Sequence, residues 1–298
     1  MKNRIAAGVG FASLLICVLV SSCSRHDKRS RAVLPGTWQS TPIVIDGDSK
    51  DWPSPYPNYD SKAMVAYATS NDKYNLYITL ESGDEMTQMK ILKRGLTVSI
   101  DTGGKKEPEF SINYPLENDN DPLEFPKKED MPKGESKTAF MDKQMGSKIK
   151  KSVVDANQLS LSGFIMGNGG FMVSQSSASG IKVMVKIDEY NELVWEAVVP
   201  FKAIYGVDSL SASYSGKPIS VCYAVKGFKF PESKTGGDNN MGNSSAANGG
   251  GGGMGGRGMG GGRAGNMGSN KGTSSENPLQ QLYDNTKTWK IFGVAYQQ

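Results

Sequence analysis

From Thr41 onward the chain alternates short apolar runs with clusters of Gly, Pro, Asn and Asp, the spacing of strands joined by turns. The runs are Ile43–Asp46, Ala63–Thr69, Asn75–Glu81, Leu96–Asp101, Glu109–Tyr114, Leu159–Ile165, Ile181–Ile187, Leu193–Val199, Ile219–Val225 and Trp289–Tyr296. They are rich in Val, Ile, Tyr, Phe and Thr, whose shapes suit a pleated, half-buried surface. Within Asn75–Leu80, Leu76, Ile78 and Leu80 fall on one face and Tyr77 and Thr79 on the other, the alternation of a strand with one buried side. Only Asp84–Lys93 carries a helical pattern, and it is short. Many short strands with few helices predict an all-β fold, a two-sheet antiparallel β-sandwich.

Two stretches break the pattern. Residues Glu117–Ser152 are polar, charged and proline-bearing, and read as a long excursion from the sheet edge. Residues Gly236–Gly272 are dominated by Gly, Asn, Ser and Met. A chain of that composition cannot bury enough apolar surface to offset its ordering entropy, so a disordered loop is expected up to about Ser275. The segment after it is too short to form a domain alone, yet it holds the strand-like run Thr288–Tyr296. The tract is therefore expected to be a loop inside one domain, Thr41 to Gln298, whose last strand returns to the sheet. Each doubling of loop length costs only about 0.6 kcal/mol, which permits this.

The N-terminus changes the picture. Lys2 and Arg4 precede an uncharged stretch from Ile5 to Val20, followed by Val20-Ser21-Ser22-Cys23. The stretch is short for a membrane span, which needs about 20 apolar residues, and has the three parts of an export signal. Its end resembles the lipobox of bacterial lipoproteins: an aliphatic residue, two small ones, then the acylated cysteine. Residues 1–22 are thus expected to be removed, Cys23 lipidated, and residues 23–40 to form a membrane tether. Cys17 leaves with the signal, so Cys222 remains the free thiol of the mature chain, in a run that suits a buried small hydrophobe. Of the formal net charge of +4, Lys2 and Arg4 supply two, leaving the mature chain near neutral, with no sign of a nucleic-acid surface. Arg25, Lys28, Arg29 and Arg31 read as a solvated tether or a contact with anionic headgroups. No acidic run follows Cys23, which favours the periplasmic face of the outer membrane over the cell surface.

Candidate chemistry is sparse. His26, in the tether, is the chain's only histidine, which removes Ser-His-Asp and Cys-His mechanisms and the usual zinc sites. No pair of carboxylates has a marking spacing, so no enzyme and no cofactor are expected. The Gly-x-Gly-x-x-Gly matches in the glycine tract lead into no helix, and a spacer is expected there. Glu117–Asp121 groups several oxygen ligands but lacks the turn glycine and closing Glu of an EF-hand, so a solvated acidic loop is expected and no metal site. Asp101–Gly104 reads as a hairpin turn. Trp52, Trp195 and Trp289 lie beside or within predicted strands and read as core residues. Trp38, Tyr56 and Tyr59 sit in Pro-rich connecting segments, either as exposed faces on which a sugar ring could stack or as covers for the end of the sheets.

Three separated segments together carry a resemblance. Ile43–Trp52, with its Ile45-Asp46-Gly47 and Asp51-Trp52, resembles the opening of family 9 carbohydrate-binding modules and related DOMON-like β-sandwiches. Lys73–Leu80, preceded by Asp72, is similar to their second strand, and Val194–Pro200 to their late Glu-x-x-Ile-Pro strand. Gln88–Val98, Asp101–Lys106 and Ile112–Pro115 are similar to uncharacterised lipoproteins of the Bacteroidetes type. The resemblance spans most of Ile43–Val225 and implies a β-sandwich that binds carbohydrate without catalysis. Asp46, Gly47 and Trp52 are read as a structural turn and core anchor. Some DOMON domains hold haem through Met and His or Lys; with no histidine after His26, no haem is expected. The expected function is a non-catalytic glycan-binding module of the cell envelope, with Trp38, Tyr56 and Tyr59 as its binding residues. The alternative is an assembly lipoprotein that binds another envelope protein.

Overall fold

The computed structural model of the chain describes residues 33–117, 128–174, 179–229 and 280–297. The expected signal, Cys23, the expected tether up to residue 32, residues 118–121 of the acidic run and the glycine tract lie outside them. The described chain is mostly β, in two sheets with few helices. Its strands are β1 (Leu34–Pro35), β2 (Asn58–Asp60), β3 (Val65–Asn71), β4 (Asn75–Ser82), β5 (Leu96–Asp101), β6 (Phe110–Asn113), β7 (Gln158–Ser162), β8 (Gly169–Met172), β9 (Lys182–Ile187), β10 (Leu193–Pro200), β11 (Pro218–Val225) and β12 (Thr286–Gly293). The larger sheet runs β1-β12-β11-β5-β6-β7-β8 and the smaller β2-β3-β4-β10-β9.

The period-2 pattern explains the core. Leu76, Ile78 and Leu80 of β4, and Leu193, Trp195, Ala197 and Val199 of β10, join one buried cluster with Leu96, Val98 and Ile100 of β5 and Ile219, Val221 and Tyr223 of β11. Both sheets thus turn an apolar face to the same core. The Tyr67 and Tyr223 rings meet at 4.9 Å between them, and the Tyr223 hydroxyl donates to the Ala68 carbonyl.

Several expectations need correction. Pairing is antiparallel except for β1, which runs parallel to β12. Ile43–Asp46 is not a strand but an irregular segment, while β1, β2 and β8 are short strands the pattern did not reveal. The polar excursion contains a 19-residue helix, α2 (Lys137–Asp155). Its N-cap Ser136 accepts from the Ala139 amide, and Phe140, Met145, Ile149 and Ser152 form its buried stripe. High lysine content concealed that stripe, because the composition of a segment averages over both faces of its helix.

The expected helix is α1 (Glu85–Arg94), started by the Asp84 carboxylate on the Thr87 amide and ended at Gly95. It is polar by composition yet buried on most sides, and its buried polar side chains each find a backbone partner. Gln88 donates to the Ser82 and Asn191 carbonyls, Lys90 to Gln281 and Arg94 to Gly227. Burial lowers the pKa of Lys90. Residues 227–228 leave β11 and residues 281–285 lead through α4 (Gln280–Tyr283) into β12. The Phe228 amide donates to Leu282 O at 2.8 Å and the Gly227 amide to Asn285 Oδ1 at 2.8 Å, so the described segments on either side of residues 230–279 are held together. β12 then pairs with β11 from Thr286 opposite Val225 to Gly293 opposite Pro218.

Candidate functional site

The outer face of the smaller sheet carries the chemistry. Strand register places Glu81 of β4 between Ala66 of β3 and Val194 of β10, and Thr79 between Ala68 and Glu196. Over the lower part of this face lies the irregular segment from Ile43 to Tyr56, whose Ile43 and Trp52 pack on Ala68 and Tyr77. That cover explains why β10 is buried along both faces and why Glu196, fully buried, sits among apolar neighbours.

Glu196 is the receptor of the Asp46-Gly47…Trp52 motif. Its carboxylate accepts from the Trp52 indole at 2.7 Å, the Gly47 amide at 2.7 Å and the Asp46 amide at 3.1 Å. Burial raises its pKa, and the three donors pull it back down. Gly47 has a positive φ of 78°, and a Cβ there would meet the Lys186 stem at 2.8 Å, so the turn requires glycine. The Asp46 carboxylate caps the Asp48 amide, and Asp48 caps a short turn over Ser49–Asp51. Asp72 does the corresponding work before β4: it accepts from the amides of Tyr74 and Asn75, both at 2.6 Å, and from the Tyr77 hydroxyl at 2.8 Å. Two segments distant in the sequence, those of Asp46 and Glu196, are therefore halves of one structural joint.

The three aromatics fall in three different settings. Trp38 bridges to Asn71 at the far end of β3 and meets the Tyr296 ring edge-on at 6.4 Å. Together they line a cleft of about 450 Å³ walled by Gly36, Gly216 and Gly293. Tyr56 is half-buried against the Trp52 cluster, its hydroxyl 3.3 Å from Thr79 Oγ1 and its pKa raised by burial. Tyr59, in β2, pairs with Ala66 and is 59% exposed. The Trp38 bridge and the Tyr59 pairing stand five residues apart along β3, about 17 Å at the usual strand rise. The structure does not bring Trp38 and Tyr59 into one cleft.

Tyr59 lines a second cleft, of about 400 Å³, together with Met64, Ala66, Glu81, Gly83, Asp84 and Glu192. Its hydroxyl donates to the Met64 sulfur at 3.5 Å, which helps orient the ring. Burial, and then the negative charge of Glu192, push the Glu81 carboxyl up to about 7. Glu192 stands at the head of β10 in a turn held by Asp188, whose carboxylate accepts from the Tyr190 and Glu192 amides. On the same turn the Tyr190 ring is 75% exposed. Sequence reasoning missed Glu81, Glu192 and Tyr190. Glu81 is an outward charge on an alternating strand, an ordinary feature, and nothing local ties it to a residue so far along the chain.

The remaining candidates resolve simply. Asp101 accepts from the Gly103 and Glu107 amides and from the Ser220 hydroxyl, a hairpin turn braced against β11. Glu117 pairs with Arg94 and Lys226. Cys222 is buried, and burial pushes its thiol up to about 11. Trp195 lies in the core, its indole donating to Tyr114 O at 2.9 Å, while Trp289 is half-buried under Lys287. Among the described residues no three His, Cys, Asp or Glu side chains are grouped to hold a metal ion, and no helix is long and apolar enough to cross a membrane. No protein-family model matches the chain, and no curated protein matches it either.

Proposed function

We propose that this chain is a non-catalytic lipoprotein of the cell envelope, a carbohydrate-binding-module-like β-sandwich that holds a glycan in the Tyr59 cleft. The observation that carries this reading is the exposed Tyr59 ring at the edge of a cleft lined by the carboxyls of Glu81, Glu192 and Asp84. A sugar offers C–H faces that stack on an aromatic ring and hydroxyls that donate to carboxylates. Trp38 and Tyr56 are left out of the binding site, Tyr56 because its ring and hydroxyl are spent on covering the sheet.

The test is retardation of residues 24–298 in native gels cast with plant, host and bacterial polysaccharides. One glycan is expected to retard the protein, and Tyr59→Ala is expected to abolish the shift while its unfolding free energy stays within about 0.5 kcal/mol of wild type, as for most exposed positions. Retention of the shift in Tyr59→Ala removes this cleft from the site. The anchor reading rests on the lipobox-like run before Cys23, and its periplasmic orientation on the lack of an acidic run after that cysteine. Labelled fatty acid is expected to be incorporated by the wild type and not by Cys23→Ser.

A second reading, docking of another envelope protein, draws on Ile165 and Met166, which stand exposed side by side between β7 and β8. It takes first place if no polysaccharide retards the protein.

A further inference from the structure

We infer that the end of the sandwich at which the chain enters β1 rests on the lipid headgroups of the membrane, with the Tyr59 cleft at the opposite end turned away. This rests on the anchor reading above and adds the protein surface that the anchor brings down.

Backbone hydrogen bonds gather segments distant in sequence at that end. The Asn71 amide donates to Thr37 O at 2.9 Å and the Asn71 side chain to Ala295 O at 2.9 Å, which joins the entering chain, the β3–β4 turn and the tail after β12. The same turn accepts at Lys73 O from the Leu210 amide and at Tyr74 O from the Phe201 amide, both at 2.8 Å; Phe201 opens α3 (Phe201–Tyr205). The Ile165 amide reaches Ala203 O at 3.0 Å and so adds the β7–β8 turn, and the Gly216 amide reaches Val294 O at 2.9 Å.

These segments carry apolar side chains that nothing in the fold covers. Val33, Leu34, Tyr74, Ile165 and Met166 are each between 41% and 57% exposed. Trp38 and Tyr296, half-buried, flank the cleft between the entering chain and the tail. Trp and Tyr join an apolar body to a polar tip, which suits the headgroup layer, greasy on one side and wet on the other. Lys73, Lys105, Lys106 and Lys217 stand exposed among them, and Lys202 pairs with Asp208. The exposed acids beside them are Glu107 and Glu109, and Glu109 accepts from the Thr102 hydroxyl. The opposite end differs in sign. β4 leads away from this end for about 25 Å at the usual strand rise and finishes among Glu81, Asp84, Asp188 and Glu192. An anionic lipid surface therefore favours the lysine-bearing end.

The tether decides which end comes down. Residues 23–32 span at most about 36 Å fully extended, so a lipidated Cys23 holds Val33 within that distance of the bilayer. Arg25, Lys28, Arg29 and Arg31 against Asp27 add positive charge on the way. Lipid also suits the layout better than a protein partner does. The apolar pairs lie toward opposite edges of the larger sheet, Val33 and Leu34 beside β12 and Ile165 and Met166 after β7. A flat headgroup layer meets both at once, whereas a protein interface centres on one contiguous apolar patch.

The experiment places a fluorophore on Ala212→Cys, at this end, or on Tyr190→Cys, at the other, in the lipidated full-length chain. Both positions are exposed, and Cys222 is buried and escapes labelling of the folded protein. The protein is reconstituted with vesicles of phosphatidylethanolamine and phosphatidylglycerol that contain a lipid with a nitroxide headgroup. The Ala212 label is expected to lose most of its emission and the Tyr190 label to keep it. Adding Ile165→Ser and Met166→Ser is expected to restore much of the Ala212 emission while flotation with the vesicles is unchanged. Equal quenching of the two labels, or quenching of neither, in protein that floats with the vesicles overturns the inference and leaves the anchor reading standing. If the wild type does not float, the anchor reading fails and the inference with it. Shielding of the Ala212 label in cells but not in vesicles assigns this end to a protein partner and equally overturns the inference.

Discussion

Truncating Glu196 would strand three donors at once: the Trp52 indole and the amides of Gly47 and Asp46. Each buried donor left without a partner costs about 1 to 3 kcal/mol, so Glu196→Ala is expected to lower stability by about 3 kcal/mol or more, read from urea unfolding. A loss below about 0.5 kcal/mol, the scale of an ordinary surface change, would mean that Glu196 is not the anchor of this segment. At the residue scale the sequence announced both halves of this joint, Asp46-Gly47 with Trp52 and the strand around Glu196, without revealing that one receives the other. The aromatics show the same limit. Composition put Trp38, Tyr56 and Tyr59 in connecting segments, but whether a ring faces solvent depends on what folds over it. Tyr56 is half-buried beside Trp52, while Tyr59 remains open.

At the scale of elements, the strands with the clearest alternation were legible to within a residue or two, as in β4, β5, β10 and β11. The short strands β1, β2 and β8 were not, because two to four residues cannot establish a period. The helix α2 hid behind its lysines, although Met141, Met145, Ile149 and Val153 repeat at helical spacing. Gly146 lies inside this helix, and a Cβ there meets nothing within 4 Å. Gly146→Ala is therefore expected to stabilise the protein by about 0.5 to 1 kcal/mol, the difference in helix propensity, measurable as a rise in the thermal midpoint. A fall instead would show that the helix does not tolerate a side chain at that position. The buried polar residues of α1 make the complementary point, since propensity places the helix while Gln88, Lys90 and Arg94 tie it to loops that only the fold brings near.

Across the whole molecule, the glycine tract interrupts a hairpin whose two strands remain in continuous register. The clasp of Phe228 on Leu282 and of Gly227 on Asn285 joins the segments that flank residues 230–279. Replacing residues 230–279 by a linker of about six residues, a usual connection length, is thus expected to preserve cooperative unfolding. Because each doubling of a loop costs about 0.6 kcal/mol, the stability change is expected to stay within about 2 kcal/mol. Loss of the cooperative transition would show that the tract contributes to the fold itself. The two clefts belong to this scale as well, for each draws its walls from segments far apart in the chain: Glu81 with Glu192, and Trp38 with Tyr296.

The sequence by itself determined which runs become long strands, which of their faces are apolar, and where α1 begins, because alternation and capping act over a few neighbouring residues. Tertiary structure alone decided the strand order, the burial of Glu196 under its own motif, and the meeting of Glu81 with Glu192. Those depend on the path the chain takes between distant elements, and no local period encodes that path.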